Sequence, residues 1–471
     1  MFNELVVIYI QYFFTLSIIY YFYANSIYLF LLILAFRDLR KSRLQSYQLI
    51  KELKNTAPAY APAISILAPA YNEGKTIIAS IKSFLLLNYP NFEVVVINDG
   101  SKDDTLEKLI EHFKLYPDDM FQDERVGHAP IRTTYKSLSH PNLTVIDKEN
   151  GGKADAINAG LALSKHELFC AVDSDSVLES DALLRIALPF FEDPDTTIAS
   201  GGTIRLVNGS DLEHGRVKKS YLSRHPLILM QNVEYIRAFL CGRVGWNALN
   251  ATLVISGAFG LFNKEAVLGA GSYNKDSIGE DMELVVRLHR HYTDKVKRPY
   301  RIVFIPDPVC WTEAPFDLGS LSRQRVRWQR GLADALAKNS DIFHYRYKAL
   351  GLVAVPYFYL VELWGPVIEL VSWSALIVAS CLGILNHDLM FLFFLVGLVY
   401  SMFMTLVAIL LEELYFRKTS SVREFFWLMT FGVLETFGFR QLTSYWRIKG
   451  LWLHMTKKKA IWGEMKRSGL S

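Results

Sequence analysis

Hydrophobic positions fall into two regimes along this chain: unbroken apolar runs toward both ends, and short apolar bursts alternating with amphipathic stretches between them. The first run, Leu5 to Phe36, carries no charged residue and exceeds the roughly 20 residues that cross a bilayer as a helix. Ala24-Asn25-Ser26 is the one place in it where a break is expected. Three more runs lie near the other end, about Val355–Leu385, Met390–Leu411 and Phe425–Tyr445. The first two read as spans joined outside by Asn386-His387-Asp388. The third contains Glu435, Arg440 and Gln441, which are costly in lipid unless they face a polar interior. It reads as an interfacial or re-entrant segment.

The middle of the chain has the rhythm of an α/β domain. Ile64 to Pro69 is strand-like and leads into Ala70-Tyr71-Asn72-Glu73-Gly74; a helix is expected from Thr76 to Leu87. Phe92 to Ile97 is a second strand, ending in Asn98-Asp99-Gly100-Ser101. Leu143–Ile146, a helix at Ala154–Ala162 and the apolar strand Leu168–Val172 follow. Strand, helix and strand on short links form right-handed parallel units, hence a doubly wound sheet. Tyr116 to His140 is polar and reads as a surface insertion. Further on come a Gly-interrupted strand at Ile255–Phe262, a helix at Met282–His289, a strand at Ile302–Ile305, and an Arg-rich amphipathic helix at Leu318–Ala337 suited to a membrane surface. The expected organisation is a membrane segment at 1–36, a cytoplasmic linker at 37–62, the α/β domain at 63–340, membrane and interfacial helices at 341–447, and a basic tail at 448–471.

Charge orients this arrangement. The formal net charge of +4 is too small for a nucleic-acid footprint. Basic residues gather instead beside apolar runs, at Arg37 to Arg43, Arg323 to Arg330 and Arg447 to Arg467, as they do on a cytoplasmic membrane face. The N-terminus is therefore expected outside, with the α/β domain cytoplasmic in a multi-pass inner (plasma) membrane protein in contact with lipid. No basic residue precedes the first run, which disfavours a secretory signal. Cys170, Cys241, Cys310 and Cys381 lack zinc-site spacing and read as buried free thiols.

The stretch Asp173-Ser174-Asp175 closes the apolar strand with two carboxylates. Ligands of open α/β sheets gather at such strand ends, and two acids there can hold a hard divalent cation together with a diphosphate. Alone, the pair also suits a turn or a helix cap. Lys153 follows two glycines and opens a helix, so its ammonium and backbone N–H groups are placed to face phosphate. Glu280 and Asp281 open another helix, where acids also serve merely to complement the dipole.

Five stretches, in order, resemble the membrane-integrated family 2 glycosyltransferases, which include cellulose, hyaluronan, chitin and poly-N-acetylglucosamine synthases. They are Pro69-Ala70-Tyr71-Asn72-Glu73, Val96-Ile97-Asn98-Asp99-Gly100-Ser101, Asp173-Ser174-Asp175, Gly279-Glu280-Asp281 and Gln324-Arg325-Val326-Arg327-Trp328. Asn150-Gly151-Gly152-Lys153 and Trp446 to Gly450 look most like the poly-N-acetylglucosamine synthases. The resemblance implies a GT-A-like nucleotide-sugar domain set between membrane helices. By it, Tyr71, Glu73, Asp99, Lys153, Asp173, Gln324, Arg325 and Arg327 bind the UDP-sugar, Asp175 with Asp173 holds Mg²⁺ or Mn²⁺, and Asp281 is the general base. Trp328, Ser256, Gly257 and Glu280 would contact the acceptor.

The implied activity is a processive, inverting transfer from a UDP-sugar, N-acetylglucosamine first and glucose next, to a growing β-glycan that passes through the membrane helices. Glu362, Glu369, Glu435, Arg440 and Gln441 are the polar residues placed to line that path, and accessory secretion or modification proteins are expected partners. Three alternatives stand beside it: a cellulose- or hyaluronan-type synthase using other UDP-sugars, a single transfer to a lipid acceptor, and a non-catalytic scaffold or transporter that keeps the fold.

Overall fold

The computed structural model describes residues 2–56, 61–213, 216–416 and 421–458. Twelve strands are found among them: β1 (Ile64–Ala70), β2 (Phe92–Asp99), β3 (Leu115–Pro117), β4 (Ile131–Ser137), β5 (Leu143–Lys148), β6 (Leu168–Val172), β7 (Val177–Leu178), β8 (Thr197–Leu206), β9 (Asp211–Glu213), β10 (Arg216–Lys219), β11 (Phe259–Asn263) and β12 (Arg301–Thr312). All but the small β9–β10 hairpin join one mixed sheet, ordered β3-β4-β5-β2-β1-β6-β11-β8-β12-β7. Its centre, β5-β2-β1-β6, is parallel and rich in Val, Ile and Leu, as strands covered on both faces must be. The helices Ile77–Leu85, Thr105–Phe113 and Ala182–Glu192 pack on one face. Lys153–Leu163, Lys264–Gly269 and Glu280–Arg290 pack on the other. This is the doubly wound α/β fold.

Registry places the chemistry. Ile64 lies opposite both Phe92 and Leu168, so β1, β2 and β6 end at one edge and release the loops after Ala70, Asp99 and Val172 side by side. β11 runs antiparallel to β6, with Phe259 opposite Val172. The loop entering β11 therefore crosses the tip of β6, and Asp173 N donates to Ala258 O at 3.3 Å.

Several expectations are corrected. The stretch Tyr116–His140 is no mere insertion, because β3 and β4 extend the sheet through β5 in antiparallel pairing. Alternating Thr, Tyr and Lys side chains hid these half-exposed strands. Of Ile255–Phe262 only the part from Phe259 is strand, and the strand at Ile302 continues to Thr312. Three of the four cysteines are buried, but Cys381 is exposed.

The N-terminal helix runs unbroken from Phe2 to Thr56. Asn25 causes no break; its amide donates to Val396 O at 2.9 Å and ties the helix to a C-terminal one. From Arg37 to Asn55 there is neither Gly nor Pro, so good helix formers carry the rod through the expected linker. Residues 57–60 of that linker, and 459–471 of the basic tail, lie outside the described residues.

Among the described residues two helices are long and apolar enough to cross a membrane, Val7–Lys41 and His387–Phe416. Leu350–Leu363 with Gly365–Cys381, bent by 45°, makes a third if the pair is one span. The last apolar run is split into Val422–Leu434 and Phe439–Met455 around Gly438 at φ +87°, and neither half meets that length and hydropathy. Candidate membrane helices thus flank the α/β domain.

Candidate active site

The acidic turn, Lys153 and Asp281 converge on one cleft at the sheet edge. Lys153 is the first residue of its helix, and its Nζ bonds the Asp173 carboxylate, donates to Gly257 O at 3.1 Å and lies 3.8 Å from Glu280. Gly257 N donates to Asp281 Oδ2 at 3.1 Å. A Cβ on Gly257 would sit 3.0 Å from Lys153 Nζ and 3.5 Å from Asp281 Oδ2, so glycine is needed for this approach. Burial opposes the Lys153 charge, yet Asp173, Glu280 and Asp281 together hold its pKa above the ordinary lysine value. Glu280 is pushed up, by burial and by Asp281, with Lys153 pulling the other way.

β6 stops at Val172, and Asp173 to Ser176 form a turn closed by Ser176 N on Asp173 O at 3.0 Å. The two acids are therefore presented by a turn at the strand's end. Ser256 lies in the same loop as Gly257, and its O accepts from Phe259 N at 3.1 Å.

The loop after β1 is laced to the loop after β2. Asn72 N donates to Ser101 Oγ at 3.0 Å, Glu73 N to Thr105 Oγ1 at 2.9 Å and Gly74 N to Asp103 at 3.0 Å. Tyr71 stands half exposed on the loop after β1. The Glu73 carboxylate takes a hydrogen bond from Thr76 Oγ1 at 3.1 Å, which starts the following helix.

Asp99 turns inward. Its carboxylate accepts from Lys148 Nζ at 2.7 Å, Gly151 N at 3.0 Å, Gly152 N at 2.8 Å and Asn150 Nδ2 at 3.2 Å, which fills its four acceptor positions. The structure therefore directs it at the Asn150–Gly152 loop, away from the base and ribose contact expected for it. The same bonds draw the N–H groups of Gly151 and Gly152 away from any phosphate. Lys148, fully buried, also bonds Asp155 at 2.7 Å, so this network sets the loop from which Lys153 projects.

The Gln324–Trp328 motif lies on the helix Leu318–Lys338. Residues two apart on a helix face different ways, and the two arginines accordingly part. Arg325 is buried and paired with Glu234 at 2.5 Å, with its guanidinium 4.3 Å over the Trp328 ring. It is not free for phosphate as expected. Arg327 lies within electrostatic reach of Glu280 and Tyr235, at the cleft. Gln324 Oε1 accepts from Arg325 Nη1 at 3.0 Å, and Trp328 is half exposed. Gly331 meets Gly279 backbone to backbone, and Gly450 of the C-terminal helix packs on Val326 O. The motif helix is thus wedged between the helix of Asp281 and the C-terminal helix Phe439–Met455.

Residues 65–246 match the family model for glycosyl transferase family 2, and residues 168–415, more than half of the chain, match that for glycosyl transferase family group 2. The chain is a family 2 glycosyltransferase. The poly-beta-1,6-N-acetyl-D-glucosamine synthases of Staphylococcus aureus and Staphylococcus epidermidis are 30% identical to it over 277 and 276 residues, 59% of this chain and 56% of theirs. The match thus spans little more than half the length of those relatives. A mannosyltransferase from Pyrobaculum calidifontis, solved with GDP-Man and Mn²⁺, superposes over 91% of this chain and all of its own with a TM-score of 0.53 at 17% identity. That likeness shows the fold.

Residues that no motif marked also reach the cleft of this glycosyltransferase. Tyr235 stacks on Phe239 and leans toward Trp328, and the charge of Asp281 is felt at Arg243. Their only sequence signal is an i, i+4, i+8 spacing, shared with any packed helix. The polar residues read as a polymer path are each tied to a polar partner. Glu435 meets Arg237 at 2.7 Å and Arg440 at 2.8 Å, Glu362 meets Arg447 at 3.0 Å, Glu369 accepts from Ser444 at 2.7 Å, and Gln441 caps Gly438.

Proposed function

We propose that this glycosyltransferase transfers N-acetylglucosamine from UDP-N-acetylglucosamine to the hydroxyl of a growing β-linked glycan, with inversion, at the cytoplasmic face of a membrane. The observation that carries this is the Asp281 carboxylate, fixed by Gly257 N–H within one cleft with Lys153 and Asp173. In the proposed step Asp281 takes the proton of the acceptor hydroxyl as its oxygen bonds to the sugar C1. The C1–O bond to phosphate breaks, and its electron pair leaves on UDP. General-base assistance of this kind contributes about 10²–10⁴ in rate. Tyr71, half exposed on the loop after β1, offers its ring to the base, while Lys153 and Arg327 face the diphosphate.

Asp173, Asp175, Glu280 and Asp281 place four carboxylates against three cations, Lys153, Arg327 and Arg243, an excess of negative charge that repels a diphosphate. Among the described residues no group of three or more His, Cys, Asp or Glu has metal-holding geometry. Two carboxylates completed by phosphate oxygens and water are nevertheless an ordinary Mg²⁺ donor set, so the residues fit Mg²⁺ or Mn²⁺ held by Asp175 and Asp173. Such an ion, when bound, neutralises the charge of the leaving diphosphate.

The Staphylococcus relatives, named as synthases of a β-1,6-linked N-acetylglucosamine polymer, support the same sugar, processive extension and export of the product. Arg37, Arg40 and Lys41 at the C-terminal end of the first candidate span support a cytoplasmic catalytic domain. The test is the purified full chain in detergent with UDP-N-acetylglucosamine and Mn²⁺ or Mg²⁺, scored by UDP release and by product mass. A ladder of N-acetylhexosamine increments, lost in Asp281→Asn while UDP still binds, is expected. A single sugar on lipid would replace the polymer reading, and product from another nucleotide class alone would overturn the donor.

A further inference from the structure

From the motif helix a series of ring and guanidinium contacts runs to Arg243. The Arg325 guanidinium lies 4.3 Å over Trp328. Trp328 and Tyr235 have ring centroids 6.4 Å apart, Tyr235 stacks on Phe239 at 5.5 Å, and Phe239 carries the guanidinium of Arg243 at 3.9 Å. Tyr235, Phe239 and Arg243 share one face of a continuous helical stretch whose middle, Arg237–Arg243, is a π turn. Such turns are frequent at functional sites.

The two arginines that close the series differ. Arg325 is neutralised by Glu234. Arg243 forms no ion pair among the described residues, and its Nη1 is buried without a hydrogen-bond partner among them. Burial pushes its pKa down to about 10, opposed chiefly by Asp281 and then by Tyr235. A buried guanidinium N–H left unmade is expensive, and native structures keep such groups where a ligand or a special role accounts for them. Phe239, itself buried, fixes the plane of the guanidinium and hence the direction of that N–H.

We infer that Arg243 belongs to the acceptor subsite and donates through Nη1 to an oxygen of the acceptor sugar beside Asp281. The inference rests on the glycosyltransferase reading above. It favours acceptor over donor because the contacts through Phe239 and Tyr235 tie Arg243 to Trp328, and Asp281 is the carboxylate that most favours its charge. Trp328 is half exposed on the motif helix, so a sugar chain leaving Arg243 would run along Tyr235 to Trp328.

The experiment compares the full chain with Arg243→Gln and Arg243→Lys, using a short β-1,6-linked N-acetylglucosamine oligosaccharide as acceptor and calorimetric titration with UDP alone. Loss of one charged hydrogen bond raises the acceptor KM about tenfold or more in Arg243→Gln, with UDP affinity unchanged. Arg243→Lys recovers little, since an ammonium lacks the planar fork that stacks on Phe239. A drop in UDP affinity with an unchanged acceptor KM would give Arg243 to the donor and overturn the inference, as would no change in either. If Arg243→Gln loses both, Phe239→Leu decides: it keeps the charge but removes its plane, and an unaltered acceptor KM there refutes the role. A wild-type chain that transfers nothing would instead sink the underlying glycosyltransferase reading.

Discussion

Gly331→Ala places one methyl group at the junction between the motif helix and the helix that presents Asp281. The added carbon would lie 2.9 Å from Gly279 Cα and 3.2 Å from Gly279 N. Carbon atoms rest about 3.5–4.0 Å apart, so the helices must separate by roughly 0.6–1.1 Å. Both partners are backbone, and no rotamer change relieves the contact. Gly279 immediately precedes Glu280 and Asp281, so the shift is delivered to the base. A displacement near 1 Å costs on the order of 10²-fold in rate, about 2.7 kcal/mol of barrier. Stability changes less: alanine gains about 1 kcal/mol over glycine inside a helix, which offsets part of the roughly 1–3 kcal/mol of overpacking. The expected outcome is a kcat for UDP release that falls toward 10²-fold while the thermal midpoint barely moves. Gly127→Ala, where no atom lies within 4 Å of the new carbon, is the control. A Gly331→Ala enzyme with the wild-type kcat would show that the glycine contact does not set the position of Asp281.

Arg325→Met should destabilise the chain by up to about 3–5 kcal/mol, the cost of stranding one partner of a buried pair, reduced because Glu234 is partly exposed. The double variant with Glu234→Gln should recover most of it in thermal melts, and no recovery would show that packing on Trp328 was the real loss. His289 is buried against Tyr300 and Thr252 O, and burial pushes its pKa down to about 4 from 6.5. Its contribution is therefore complete above pH 6.5 and lost as pH falls toward 4, by up to roughly 1.4 kcal/mol per pH unit. His289→Gln should flatten that part of the pH–stability curve, and an identical slope would exclude the residue. Asp175→Asn should raise the Mn²⁺ concentration needed for half-maximal UDP release while leaving metal-free UDP binding in place; an unchanged metal requirement would place the ion elsewhere.

The parallel core was legible because its strands are continuous runs such as Leu168–Val172, bounded by glycine and acidic turns. The edge strands β3 and β4 were not, since half-exposed strands of Thr, Tyr, Lys and Arg resemble polar loop. Motif spacing brought Lys153, Asp173, Gly257, Glu280 and Asp281 to one cleft. Orientation is a different matter. The inward turn of Asp99 depends on Lys148, a buried lysine that linear sequence gives every reason to place in water. Arg325 and Arg327 look equivalent in the chain, and only the helix and Glu234 on a distant segment separate them. Arg243 has no motif at all, and its place comes from the packing of Phe239. The unbroken rod through Asn25 turned on a partner, Val396, nearly the whole chain away.

That rod carries a mechanical consequence. At 1.5 Å per residue, 55 helical residues measure about 80 Å, well beyond any hydrocarbon core. Inside the candidate span its Leu31 backbone lies so close to Gly245 that a Cβ there would approach within 2.7 Å, and Gly245 is two residues past Arg243. A thinner or thicker bilayer changes the tilt of a long stiff helix, and here the lever bears on the helix that carries Arg243. On the proposed reading, changing the acyl-chain length of the surrounding lipid is expected to alter the rate of sugar transfer through a contact that no substrate touches.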